Sequence, residues 1–463
     1  MAKVDGGTAE VDAGGGSEAV GRDAAPPADA TSQLTSCSCI DGRCDAAACS
    51  CASDSALCDV SDGTGADGTL VVSVHTNLST TNHAGRSCSD GGDAVAYSVV
   101  ELPSASQARL SVRPASDCLV KGDEVLLINL QGTASSSLNT GHMELLRVAE
   151  IEADTVTFVG ERAQIFGGVT GAESGLGTLR TQQRVLLQRV PNYTELRVVR
   201  DQTLTANAWD GVRGGVLALR VQGRAEIAGT LDMVGRGYTG GTATTAAGAT
   251  GLQGESIAGL GAASKVANGG GGGGGAGDVP FTACDPLGTS GGGGGHVQAG
   301  SSGSAPCSGG GGLAYATSER VFLGAGGGAG GTDNSLRDNP PGAFGGAGGG
   351  IILLFAREVT VTGAIDASGA PGQGDVVQCT GGSSTVSCWD YSGPGGGGAG
   401  GSIHLTAKEL VLGESLVRSL GGPGGRGIEG LSGNGGAGSV GTVVASSVAS
   451  VAGTTAPAFS VSP

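Results

Sequence analysis

Residues 269–278 read GGGGGGGAGD, and related runs return downstream as GGGGGH, SGGGGL, GAGGGAGG, GAGGGI and GPGGGGAGG. Glycine loses more backbone freedom on folding than any other residue and has no side chain to bury, so ordered runs of it must be held by something else. Aromatic residues are 3% of the chain, against 94 glycines in 463 residues, which removes most of the large side chains that build a conventional core. A fold in the glycine-rich half therefore leans on backbone hydrogen bonds. Disorder is the rival outcome, but a flexible linker mixes Ser, Glu, Lys and Pro among its glycines. It also gives no reason for Cys284 and Cys307 to flank a run or for Trp389 to precede GPGGGG. Extended helices of three residues per turn, packed side by side, do give one, because only glycine fits where backbones approach so closely. The strict Gly-X-Y period of collagen is absent.

Three stretches in this half share one grammar: GGVLALRVQGRAEIAGTLDMVG (214–235), GGIILLFAREVTVTGAIDASG (349–369) and GGSIHLTAKELVLGESLVRSLGG (400–422). In each, a glycine pair leads into an apolar strand, a polar corner, a second strand, a glycine, a short third strand and a glycine-rich exit. Repeats of this kind stack as parallel coils that bury their faces against neighbours, so residues 210–463 are expected to form a β-solenoid-like repeat interleaved with polyglycine II-type helices. The glycine runs join coils rather than replace them, and SVGTVVASSVASVAG is expected to close the stack as an edge strand or partial coil.

The first half differs. Residues 1–36, small, acidic and punctuated by proline (GRDAAPPADATSQ), have almost nothing to bury and read as a disordered tether. A cysteine-rich segment, 37–68, follows, and its DVSDGTGADG lacks the alternation of a calcium loop and reads as a solvated turn. From Thr69 come short runs of period-two character, TLVVSVHT, AVAYSVVEL, DEVLLINLQG, QRVLLQRVP and TELRVVRD among them. They predict an all-β domain over 69–209, a β-sandwich or small barrel, with a hairpin turning at 152–154 after a polar, exposed loop, GTASSSLNTGHM.

Six cysteines crowd the second segment (Cys37, Cys39, Cys44, Cys49, Cys51 and Cys58), while the rest form spaced couples, Cys88 with Cys118, Cys284 with Cys307 and Cys379 with Cys388. An even count in local couples points to disulfides and an oxidising compartment. Zinc is the weaker reading, since no His lies in that segment and paired C-x2-C knuckles are missing. Connectivity among the crowded six stays open. No apolar leader opens the chain, so the reading is an exported protein whose signal is missing from this sequence, with no transmembrane segment. The formal charge of -17 repels phosphate backbones, and no basic stripe or aromatic platform invites nucleic acid.

The stretch AWDGVRGGVLALRVQGRAEIAGTLDMVGRGYTGG (208–241), with GDEVLLINLQG and QRVLLQRVPNYTELRV upstream, resembles glycine-rich exported proteins of myxobacteria and related bacteria, some connected with adventurous gliding motility. The glycine runs look like the polyglycine II bundles of phage tail-fibre tip adhesins, the glycine-rich ectodomain of a receptor tyrosine kinase family and a springtail antifreeze protein. The resemblance implies a secreted or surface-attached structural or adhesive module and carries over no catalytic residue.

Candidate chemistry is thin. GTSGG (288–292) fits a nucleophile elbow with His296 near Ser290, but the strand before and helix after that such an elbow needs are missing. Asp232 and Asp366 hold the same place in two coils and could act as the paired acids of a carbohydrate-active enzyme; capping a turn is the plainer use. The third coil offers 415–417 there, with no acid. The histidines His75, His83, His142, His296 and His404 are scattered, with His404 read as a strand-surface residue. Only TATT (242–245) hints at the threonine array of an ice-binding face. The expectation is a non-catalytic protein without cofactor or metal, whose partners are surface glycans or copies of itself. A carbohydrate-active enzyme, or an ice- or glycan-binding module, are the alternatives.

Overall fold

The computed structural model describes residues 63–168, 173, 175–277, 288–317, 319–334, 341–375, 377–380, 387–427 and 433–461. Among these residues every regular element is a β-strand, as the short period-two runs require. The tether at 1–36 and the six crowded cysteines lie outside the described residues.

Two short strands, β1 (Leu70–Val72) and β2 (Thr76–Asn77), come first. The chain then makes β3 (Ala96–Ser104), β4 (Gln107–Leu110), β5 (Glu124–Gln131), β6 (Met143–Glu152), β7 (Thr155–Phe158) and β8 (Arg184–Arg189), which close an antiparallel barrel in the order β3-β4-β7-β6-β5-β8. The hairpin between β6 and β7 turns at Ala153, whose φ of 53° is the left-handed value of a tight turn.

The second body is an 11-stranded sheet whose pairings are all parallel. After β9 (Asn192–Tyr193), β10 (Leu196–Val198) and β11 (Thr203–Thr205) it continues through β12 (Val216–Ile227), β13 (Thr230–Asp232), β14 (Ile351–Val361) and β15 (Ala364–Asp366). A separate antiparallel hairpin, β16 (Val377–Thr380) with β17 (Ser387–Tyr391), intervenes before β18 (Ser402–Arg418) and β19 (Thr442–Ala456). The three repeats of the sequence lie in register: Leu217 pairs with Ile352 and Ile352 with Ile403. β19 pairs with β18 and is touched on its other side by a bridge from Ser460 to Val444.

The boundary drawn at 210 is corrected here. β1 pairs with β10 in parallel, Leu70 opposite Leu196, so TLVVSVHT and TELRVVRD belong to the parallel sheet and the barrel is inserted between its first two layers. The segment drawn as 37–68 also reaches into this body, because Asp67 N donates to Asn192 O and Thr194 N to Gly68 O. Local periodicity cannot reveal which distant strand a short run will meet, so both ends of the insertion read as barrel strands.

Three cores explain the apolar runs. Leu217, Leu219, Ile352, Leu354, Ile403 and Leu405 point into the parallel layers, while Val125, Leu127, Val185 and Leu187 fill the barrel. The alternate residues of the same strands, Leu126, Ile128 and Leu186 from the barrel and Val216, Ala218, Ile351 and Leu353 from the sheet, meet in a third cluster. VLLINL and IILLFA are thus unbroken apolar runs because both faces of each strand are covered. The loop expected to be exposed is buried at Asn139, Thr140 and Gly141. Asn139 Nδ2 donates to the carbonyls of Gly167 and Gly168, and a Cβ at Gly141 would strike the Phe322 ring.

Candidate functional site

The glycine segments connect the parallel layers, and residues 393–401 illustrate how. The N–H groups of Gly393, Gly396 and Ala399 donate to the carbonyls of Gly331, Gly328 and Ala325 at 2.9, 2.8 and 2.8 Å. Those of Gly395, Gly398 and Gly401 reach Gln373, Ala370 and Ala367, and those of Gly397 and Gly400 reach Gly436 and Ser439. Acceptors follow the same spacing: Gly393, Gly396 and Ala399 accept from Ala343, Gly346 and Gly349, Pro394 and Gly397 from Gly291 and Gly294, and Gly395 and Gly398 from Gly425 and Gly422. Bonds to any one neighbour recur every third residue. Rising partner numbers mark neighbours running the same way, falling numbers neighbours running the opposite way. A Cβ built at Gly272, Gly328, Gly397 or Gly438 would overlap a neighbouring carbonyl, so the close approach itself demands glycine.

One end of this array abuts the parallel strands, where Gly349 N donates to Ala399 O and Gly401 N to Ala367 O. At the other end Thr289 N donates to Ala276 O, Gly331 N to Thr289 O, Ala276 N to Cys307 O, Asp375 N to Arg426 O and Ser304 N to Asn434 O. These bonds gather the points where the chain departs toward 278–287, 335–340, the β16–β17 hairpin and 428–432.

The residues singled out for catalysis have structural duties. Ser290 is fully buried with its Oγ 2.8 Å from Ser308 Oγ. His296, fully buried, points its Nε2 toward Phe322 O at 3.4 Å and lies edge-on to Tyr315 and Phe322, with ring centroids 5.4 and 6.3 Å away. The extended run between Ser290 and His296 separates them by roughly 20 Å. Burial lowers the His296 pKa to about 4 and does the same for His404, whose Nε2 finds no partner; the expected surface histidine is half-buried. Asp232 and Asp366 are neighbours in register, yet Asp232 Oδ1 accepts from Val234 N and Asp366 Oδ1 from Ser368 N, both at 3.0 Å. Each carboxylate caps its own turn. The next layer presents Arg418, not 415–417, because β18 carries one extra residue between the Thr360–Val411 and Ile365–Val417 pairs; the Arg418 NH2 lies 3.1 Å from Asp366. The outward column Arg197, Glu226, Thr360, Val411, Ala452 carries no threonine array.

Cys88 and Cys118 form a disulfide with Cα atoms 4.5 Å apart. Cys307 is also disulfide-bonded, while Cys284 lies outside the described residues. Cys379 and Cys388 sit on the paired strands β16 and β17, their side chains outside the described residues, as are Cys37, Cys39, Cys44, Cys49, Cys51 and Cys58.

Sequence reasoning missed a buried ionic seam between barrel and sheet. Arg220, 1% exposed, donates to Glu124 through Nε and NH2 at 2.8 and 2.7 Å and lies 4.8 Å over the Phe355 ring. Asp67, read as part of a solvated turn, pairs with Arg189 at 2.5 Å, and Asp123 with Arg86 at 2.5 Å. The available signal was a charge inside an apolar strand: Arg220 interrupts VLALRV and Arg189 follows VLLQ. Glu255, buried in a loop, is a further buried charge without that signal, accepting from Trp209 Nε1 at 3.0 Å and Gln131 Nε2 at 2.9 Å while Trp209 meets Tyr238 edge-on at 6.0 Å. No family model, curated protein or solved structure matches this chain. No helix among the described residues is long and apolar enough to cross a membrane.

Proposed function

We propose that this chain is an exported, non-catalytic protein of the cell surface or extracellular space, with a structural or adhesive role. In this reading the parallel layers are the coils of a β-solenoid and the glycine segments a polyglycine II bundle. The observation that carries it is the three-residue recurrence of hydrogen bonds around 393–401, which is the period of an extended threefold helix. Such a bundle owes its cohesion to the main chain, and a rigid backbone scaffold of this kind suits a structural or adhesive part. Export is supported by the Cys88–Cys118 disulfide and the bonded Cys307, since such bonds persist in oxidising compartments.

The test is attachment set against turnover. Beads coated with the oxidised protein are expected to adhere to glycan-bearing or cell-derived surfaces more than bare beads do, while the protein releases no reducing ends from polysaccharides. Hydrolysis that disappears in Asp232→Asn or Asp366→Asn, or beads no stickier than bare ones, would overturn the reading.

A further inference from the structure

A cleft of about 540 Å³ opens between the barrel wall at β3 and β8 and the turn that precedes β12. This volume lies within the range of small-molecule sites. Its floor carries Gln188, 2% exposed on the outer face of β8. The Gln188 Nε2 donates to Val216 O at 3.3 Å, which leaves the Oε1 without a protein partner at the cleft surface. Asp90 stands at the rim with Oδ2 fixed by Tyr97 OH and Ala115 N, each at 2.7 Å, and Oδ1 free.

The opposite rim is the WDGVRGG stretch, which neither the sheet nor the glycine array accounts for. Asp210 Oδ1 accepts from the N–H groups of Val212 and Arg213 at 2.8 Å, and Gly214, at φ 92°, tolerates no Cβ because Ala208 O stands in its place. The turn is thereby committed to one conformation, and it carries a half-exposed Arg213 to the cleft. That guanidinium is poorly engaged, since NH1 reaches Ala96 O at 3.4 Å and Nε lies 4.0 Å from Asp210.

We propose that this cleft binds one or two units of a neutral glycan. A carboxylate, a guanidinium and a carboxamide lining one cleft supply the acceptors and donors that vicinal hydroxyls need, and both hydroxyls of a diol can be served by one carboxylate or one guanidinium. Two rim carboxylates, Asp90 and Asp210, stand against the one guanidinium of Arg213, so the site repels an anion. The lining holds no aromatic ring for a nucleobase. The inference deepens the adhesive reading and rests on it for the class of ligand.

The experiment is saturation-transfer NMR on the intact oxidised protein with maltose, cellobiose and lactose as probes. At least one disaccharide is expected to receive transfer, and Asp90→Asn or Arg213→Ala to weaken its binding by about tenfold or more, each removing a charged hydrogen-bond partner. Arg224→Ala, an outward residue paired with Glu358 elsewhere on the sheet, serves as control and keeps parental binding. Melting profiles of all three variants check that each stays folded. No transfer to any of the three sugars, or equal binding in the parent and both rim variants, overturns the proposal. Bead attachment measured on the same samples separates the two ideas. Attachment without sugar transfer removes the cleft and leaves the adhesive reading, whereas sugar transfer without attachment does the reverse.

Discussion

The glycine array makes opposite demands at two of its own residues, and that contrast can be measured. A Cβ at Gly397 would overlap the carbonyl of Gly422 and lie 2.7 Å from Pro423 O, so the neighbouring run must be displaced by roughly an ångström. That run is held by Gly422 N to Gly398 O, Gly438 N to Gly422 O, Gly425 N to Gly395 O and Gly435 N to Gly425 O, all at 2.8–2.9 Å. At about 0.5–1.5 kcal/mol for each bond, loosening these places the loss for Gly397→Ala near 2–6 kcal/mol, a large part of a domain's usual 5–15 kcal/mol. At Gly310 the same methyl meets nothing closer than Lys265 O at 3.5 Å, an ordinary contact, and φ is not left-handed. Gly310→Ala should therefore be neutral or stabilising by about 0.4–1 kcal/mol, through the reduced freedom of the unfolded chain. Thermal melting of both variants, with limited proteolysis at IILLFA, reads the difference. If Gly397→Ala melts with the parent, or if the two variants fall together, close backbone packing is not what holds the array.

Three further outcomes are expected. His296 has its pKa lowered by burial to about 4 from an ordinary 6.5, so the unfolded chain takes up a proton before the folded one does. The His296 contribution is then full above about pH 6.5, and about 3 kcal/mol of it is lost as pH falls to about 4; His404 is lowered alike, so urea titrations should see His296→Leu reduce the acid slope by about half. Opening the Cys88–Cys118 bridge, which closes a separation of 30 residues, should cost about 3–4 kcal/mol in Cys88→Ser/Cys118→Ser, measured by urea unfolding against the parent. Arg220→Met strands the buried Glu124 carboxylate and should cost about 3–5 kcal/mol, with much of that returned in Arg220→Met/Glu124→Gln; an additive double variant would show that the two groups do not interact.

The all-strand character was legible because the apolar runs are short, alternate or fully apolar, and never helical in period. The register of the three repeats was legible too, since a glycine pair, two strands and a glycine return at matching places in 214–235, 349–369 and 400–422. What escaped was whatever depends on distant partners. TLVVSVHT carries the same alternation whether it joins a barrel or a parallel sheet, and only the pairing of Leu70 with Leu196 decides it. Arg220 and Asp67 were hidden for the same reason, because an isolated charge in a strand declares its burial only when Glu124 or Arg189 arrives from elsewhere. At the cleft, Asp210 and Arg213 were visible as part of a distinctive turn, but Asp90 and Gln188 gave no local sign of facing them.

The insertion of the barrel between the first two layers of the parallel sheet has a consequence for the order of events in time. β1 emerges early in synthesis yet has no partner until β10 appears, after the whole barrel has been made. The barrel hairpins β3–β4 and β6–β7 close over short stretches of chain, so they can form while Leu70 and Val72 still wait. β14, β18 and β19 must likewise each find the preceding layer across a glycine-rich passage, and such remote pairings are slow because chain entropy is lost before contact energy is gained. The first layer is then closed by a finished barrel returning the chain to it, and the last by β19 settling against β18.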